Sequence, residues 1–148
     1  MALTPENYAN ILDGIVATQT EEIEPSKTWM IDFANGTIGG FIDDKRAIKQ
    51  FIHKAIITER NKYAIYSDVY GNELPTLIGE SYSTALLDSE IPRMVYEAIT
   101  YDERIDDATV DYTKDGDKVF ITVVVELADT DEQLTEEVEI NGLRGFNT

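Results

Sequence analysis

His53 is the only histidine in a chain of 148 residues that contains no cysteine. One imidazole without thiolates cannot build an ordinary zinc site, and as a catalytic base it would need a serine and an acid gathered from elsewhere. Disulfides and thiol nucleophiles are excluded outright. His53 lies in a helical stretch, three residues before Ile56, and reads as a structural side chain. Asp and Glu number 29, so hydrolysis by paired acids has raw material. That chemistry requires two carboxyl groups about 5–9.5 Å apart, one with a raised pKa. No spacing nominates such a pair. Glu59 is the acid best placed for chemistry, and its neighbour Arg60 gives it the reading of an ion-paired residue instead.

Two acidic runs, Asp115-Gly116-Asp117 and Asp129-Thr130-Asp131-Glu132, have the look of calcium loops. Neither continues with the glycine at position six and the glutamate at position twelve that such a loop needs, so both read as turns. Thr37-Ile38-Gly39-Gly40 lacks the Gly-Lys-Ser/Thr of a phosphate loop. The expectation is therefore no catalytic residue, no cofactor and no metal.

The net charge of −17 opposes nucleic-acid binding, which draws on clustered Lys and Arg. The charge is uneven. Residues 1–26 carry Glu6, Asp13, Glu21, Glu22 and Glu24 and no base; residues 126–141 carry seven acids and no base. Between them, Lys45, Arg46, Lys49, Lys54, Arg60 and Lys62 make one stretch basic. Such acidic ends keep a protein soluble and can also steer basic partners. No signal peptide and no run of about 18–20 apolar residues is present, so no membrane role is expected.

Residues 1–27 read as an arm and linker. Thr4-Pro5 can start a helix, and Tyr8, Ile11, Leu12, Ile15 and Val16 recur at helical spacing before a polar, acidic stretch. Such a segment is expected to order against a partner. Residues 28–148 read as one α+β domain, a length at which about 68–70% of the unfolded surface is buried. Asn35-Gly36 signals a hairpin in which Phe33 faces Ile38, Ile31 faces Gly40 and Trp29 faces Ile42. A helix over about Lys45–Arg60, capped by Asp43 or Asp44, carries the stripe Ile48, Phe51, Ile52, Ala55 and Ile56. Tyr63–Tyr66 fits a short strand. A second helix over about Ser83–Thr100 contains Pro92, which should kink or split it. A β-meander follows. Asp115-Gly116 as a loop pairs Tyr112 with Val119 and Val110 with Ile121; Lys118–Leu127 is apolar on both faces and so central; Thr135–Ile140 alternates as a third strand.

Pro25-Ser26-Lys27-Thr28-Trp29, Ile31-Asp32-Phe33, Gly40-Phe41-Ile42-Asp43, Thr58-Glu59-Arg60, Tyr70-Gly71-Asn72-Glu73-Leu74 and Asp102-Glu103-Arg104-Ile105, in this order, resemble the prophage-type branch of the baseplate wedge and sheath-initiator family of contractile phage tails. Parts of that family carry a lysozyme-like label. The resemblance implies a small α+β domain present in multiple copies around the baseplate hub of a virion assembled in the bacterial cytoplasm. It implies a structural, non-enzymatic role joining other wedge proteins to the first sheath ring, with the tail tube or hub nearby. Its sheet resembles the domain through which sheath subunits exchange strands. The wider family carries a Glu-Pro-Arg signature; here the nearest match is Glu59-Arg60, without the proline and at a different distance from Tyr70-Gly71.

The expected function is thus a baseplate component that starts the sheath by β-strand addition. Glu59, Arg60, Tyr70, Gly71, Val123, Val125, Glu137, Val138 and Glu139 are the expected partner-binding residues. The readings from other classes are a carboxylate-dependent cell-wall glycan hydrolase and an assembly adaptor or chaperone absent from the finished particle.

Overall fold

The computed structural model describes residues 26–77, 82–116 and 118–141. The expected arm, residues 1–25, lies outside them. The described elements form an α+β fold: β1 (Thr28–Asp32), β2 (Thr37–Ile42), α1 (Asp44–Ile57), a 3-10 turn (Leu74–Leu77), α2 (Thr84–Thr100), β3 (Ile105–Asp115), β4 (Lys118–Leu127) and β5 (Gln133–Asn141). β1 and β2 make a two-stranded ribbon, and β3-β4-β5 make an antiparallel sheet in chain order.

Both helices pack on one face of that sheet. Ile48, Ile52, Ala55 and Ile56 of α1 meet Ile91, Met94, Val95 and Ile99 of α2 over Ile121, Val123, Val125 and Val138. Each fully buried Ile or Val here contributes about 1.5–3 kcal/mol of transfer free energy. α1 starts where the sequence indicates: the Asp43 carboxylate accepts from the Asp44 N–H. α2 is capped by Ser83, whose Oγ accepts from the Leu86 N–H. α2 runs unbroken from Thr84 to Thr100 through Pro92 rather than splitting in two. The cost of the missing N–H is offset by the buried positions that follow it, Met94, Val95, Ala98 and Ile99.

β4 is central, as its two apolar faces require. Ile121, Val123 and Val125 are fully buried beneath the helices, while Phe120, Thr122 and Val124 are half-buried on the other face.

Three local expectations fail. The second hairpin turns between Asp115 and Lys118, so Tyr112 faces Ile121 and Val110 faces Val123 rather than Val119 and Ile121. A shift of two residues keeps every side chain on its own face, which is why the apolar pattern alone could not detect it. In the first hairpin Ile31 faces Ile38, Trp29 faces Phe41 and Thr28 faces Ile42, with a bulge between Trp29 and Ile31. Asp32 causes this. Its carboxylate accepts from the Ala34 and Asn35 N–H groups and from Asn35 Nδ2, while the Gly36 N–H donates to the Asp32 carbonyl. The loop therefore spans four residues, and of Asn35 and Gly36 only the glycine adopts positive φ, at 65°. A two-residue Asn-Gly turn would need both. Finally, Tyr63–Tyr66 forms turns, not a strand: the Tyr66 N–H donates to the Tyr63 carbonyl at 3.1 Å.

Candidate functional site

The C-terminal end of α1 is built into a clamp by the segment that follows it. A helix end leaves carbonyls without intrahelical donors. Asn72, 1% exposed, meets them: its Nδ2 donates to the carbonyls of Ala55 (2.9 Å), Ile56 and Thr58 (3.1 Å), and its Oδ1 accepts from the Leu74 N–H. The backbone continues the contact as a parallel bridge between Glu59 and Asn72, in which the Arg60 N–H donates to the Asn72 carbonyl and the Asn72 N–H donates to the Thr58 carbonyl. This is why α1 ends at Ile57 and not at Arg60.

Arg60 fastens the other side. Its guanidinium donates to the Gly71 carbonyl through Nε and an Nη, and pairs with Glu73 at 3.1 Å. Gly71 has φ of 89°, and a Cβ there would lie 2.7 Å from the Thr58 carbonyl oxygen. Position 71 is thus closed to side chains by both conformation and space.

Tyr70 stacks on Tyr66 at 4.4 Å, with Phe51 and Tyr101 against its edge and the Lys54 ammonium 5.6 Å from its ring. Burial, followed by the charges of neighbouring tyrosines, pushes its phenol well above the ordinary value, so it stays neutral. Glu59, Arg60, Tyr70 and Gly71 are therefore brought together, although Glu59 pairs with Lys62 (2.8 Å) and not with its neighbour Arg60.

The expected sheet residues divide into two groups. Val123, Val125 and Val138 are fully buried, and β4 is paired on both sides. Val123 and Val125 leave neither side chain nor backbone free, so their part is to hold the sheet. β5 is an edge. Its Leu134 and Val138 face the helices, while Thr135, Glu137 and Glu139 are exposed. Glu139 pairs with Lys118 on β4 at 2.7 Å. Glu136 turns inward to Lys49 (3.8 Å) and His53 (3.9 Å) of α1. His53 is stacked on Phe33 at 4.3 Å, and burial holds it below the usual histidine range, partly offset by Glu136.

The clamp and the edge strand adjoin. Glu59, Asn72, Leu74 and Pro75 line one cleft with Glu139 and Ile140 at the end of β5. Glu59 and Glu139 therefore share a cleft, but each is ion-paired to a lysine and solvent-accessible. Among the described residues no group of three or more His, Cys, Asp or Glu is gathered as a metal site. No described helix is long and apolar enough to cross a membrane.

Sequence reasoning missed Asn72 and Glu73 as members of the clamp. A buried amide that caps a distant helix has the same local sequence as an asparagine in an exposed turn; only the preceding glycine hinted at close packing.

The family model described as contractile injection system sheath initiator matches residues 27–130, which holds the hairpin, both helices, the clamp and two of the three sheet strands. The chain is also 41% identical over 145 residues to the phage-like element PBSX protein XkdS of Bacillus subtilis (strain 168), covering 96% of this chain and 98% of that one. The chain belongs to the contractile injection system sheath initiator family.

Proposed function

We propose that this protein is a non-enzymatic component of a contractile tail baseplate that joins wedge proteins to the first sheath ring, and that it starts the sheath by accepting a strand on β5. The observation that carries the reading is the edge position of β5: β4 occupies one side of it, no described strand occupies the other, and its outward side chains are acidic. An unpaired edge offers a row of N–H and C=O groups to an incoming strand. Glu137 and Glu139 discourage indiscriminate pairing and favour a segment with basic residues at matching positions. The sheath-initiator family and the phage-like element relative support a place in the virion tail, with sheath and baseplate proteins as partners.

The clamp supports the same reading from the other side. Arg60, Gly71 and Asn72 fix the loop that borders the end of β5, so the edge is presented on a rigid frame. The rigid loop, with Glu59 and Tyr70 on it, is the proposed contact for the neighbouring wedge protein. The basic side of α1, Lys45 to Lys49, is partly spent on Glu132 and Glu136, which makes it the weaker candidate for the sheath contact.

Proline removes a backbone donor and obstructs strand addition. Glu136→Pro and Glu137→Pro are made separately: the N–H groups of adjacent strand residues point to opposite edges, so one of the two faces outward, and that variant should fold and enter baseplates. At least one should yield particles with tubes and little or no sheath. Normal sheath in both variants would defeat strand addition at β5.

A further inference from the structure

The β1–β2 ribbon carries apolar surface that nothing described covers. Trp29 and Phe41 face each other across the strands with ring centroids 4.1 Å apart, and they are 55% and 57% exposed; Ile38 is 73% exposed. The ribbon's border with α1 is used. Met30, Ile31, Phe33 and Ile42 line a groove with Gln50 and His53 of α1. The Gln50 amide there does the work of a neighbouring strand: its Oε1 accepts from the Ile31 N–H and its Nε2 donates to the Trp29 carbonyl. A two-stranded ribbon is marginal in water unless a face is covered, and the aromatic face is the uncovered one.

Two cations border that ribbon. The Lys27 ammonium lies 4.8 Å from the Phe41 ring centre, and an Arg46 Nη donates to the Met30 sulfur. Neither lies within ion-pair distance of a described carboxylate, although the Lys27 charge acts through space on Asp43, in a chain of net charge −17. By contrast Lys45 and Lys49, on the same helix as Arg46, are both paired. The surface therefore suits a segment that is apolar and acidic together.

We propose that the occupant is residues 1–25 of the same chain. Tyr8, Ile11, Leu12, Ile15 and Val16 supply apolar side chains at helical spacing, and Glu6, Asp13, Glu21, Glu22 and Glu24 supply acid with no base among them. The point of attachment is favourable. Ser26 Oγ donates to Asp43 at the N-cap of α1 and β1 begins at Thr28, so the segment joins the ribbon at the end where Trp29 and Phe41 sit. The nine residues from Ala17 to Pro25 span at most about 30 Å, enough to place Tyr8–Val16 anywhere on the aromatic face. A short tether holds its ends at an effective concentration on the order of millimolar, so a contact of only about 100 μM intrinsic affinity is mostly closed. A second copy of the chain enjoys no such tether.

Trp29 is the single tryptophan, which makes its fluorescence a reporter of this surface alone. Emission wavelength and acrylamide quenching of the full chain are compared with Leu12→Asp/Ile15→Asp, whose changes lie outside the described fold, and with Lys27→Glu/Arg46→Glu. Urea midpoints check that each variant retains its domain. The native chain should emit to the blue of both variants, and quenching should rise about two-fold when the arm is altered, because Trp29 returns to its uncovered exposure. The difference should be the same at low and high micromolar protein. Equal emission and quenching in the native chain and the arm variant would overturn the proposal. A blue shift that appears only on concentrating the protein would overturn it in favour of a second copy.

Discussion

Replacing Asn72 by alanine should unfold the domain at clearly lower denaturant without touching any apolar contact of the sheet. The Asn72 side chain has two amide hydrogens and one carbonyl, and all are spent on backbone groups at the end of α1 and the start of the 3-10 turn. Of these, the Thr58 carbonyl also accepts from the Asn72 N–H, while the Ala55 and Ile56 carbonyls and the Leu74 N–H depend on the side chain. With the amide gone, up to two carbonyls and the Leu74 N–H are left buried and unmatched. Each such group costs about 1–3 kcal/mol, and relaxation toward solvent recovers part of it, so a net loss of about 3 kcal/mol is expected. With a urea m-value of about 2 kcal/mol/M for a domain of this size, the midpoint falls by about 1.5 M. Thr76→Ala serves as the control. Its hydroxyl donates to the Glu73 carbonyl at an exposed position, and its loss should cost less than about 0.5 kcal/mol. Equilibrium urea unfolding followed by far-UV circular dichroism measures both. If Asn72→Ala shifts the midpoint no further than Thr76→Ala, Asn72 does not hold the clamp and the frame described for the β5 edge loses its support.

The remaining predictions concern pH and catalysis. Burial holds His53 below its ordinary value of 6.5, so below about that pH the unfolded chain binds a proton that the folded chain resists. Stability should therefore fall as pH drops from about 7.5 to about 5.5, and His53→Gln should flatten this slope; an equal slope in both proteins would assign it elsewhere. No release of reducing ends from peptidoglycan is expected, since Glu59 is held by Lys62 and Glu139 by Lys118; turnover lost in Glu59→Gln would revive a hydrolase reading.

Periodic apolar positions were legible because burial on one face imposes them directly. The stripe Ile48, Ile52, Ala55 and Ile56 located α1 with its cap Asp43, and the double-sided Val119–Val125 located the central strand. What stayed illegible depended on polar groups meeting across the chain. Asp32 can close a four-residue loop or point outward, and the local sequence does not choose between them. Tyr63–Tyr66 has the composition of a strand, yet Tyr63 meets Tyr66 edge-on and Tyr66 stacks on Tyr70 instead of lining a sheet. Of the expected partner residues, Glu59, Arg60, Tyr70 and Gly71 converge because one helix end needs capping, and Glu137 and Glu139 lie on an exposed edge. Val123, Val125 and Val138 carried a strong β signal, which reports burial as faithfully as it reports binding.

Imaging the junction between the baseplate and the first sheath ring at a resolution that traces backbone will show where the sheath attaches. At least one additional strand, contributed by a sheath subunit, should be hydrogen-bonded along Gln133–Asn141 and extend the β3-β4-β5 sheet. A first sheath ring seated on α1, with the β5 edge unpaired, would contradict strand addition at β5.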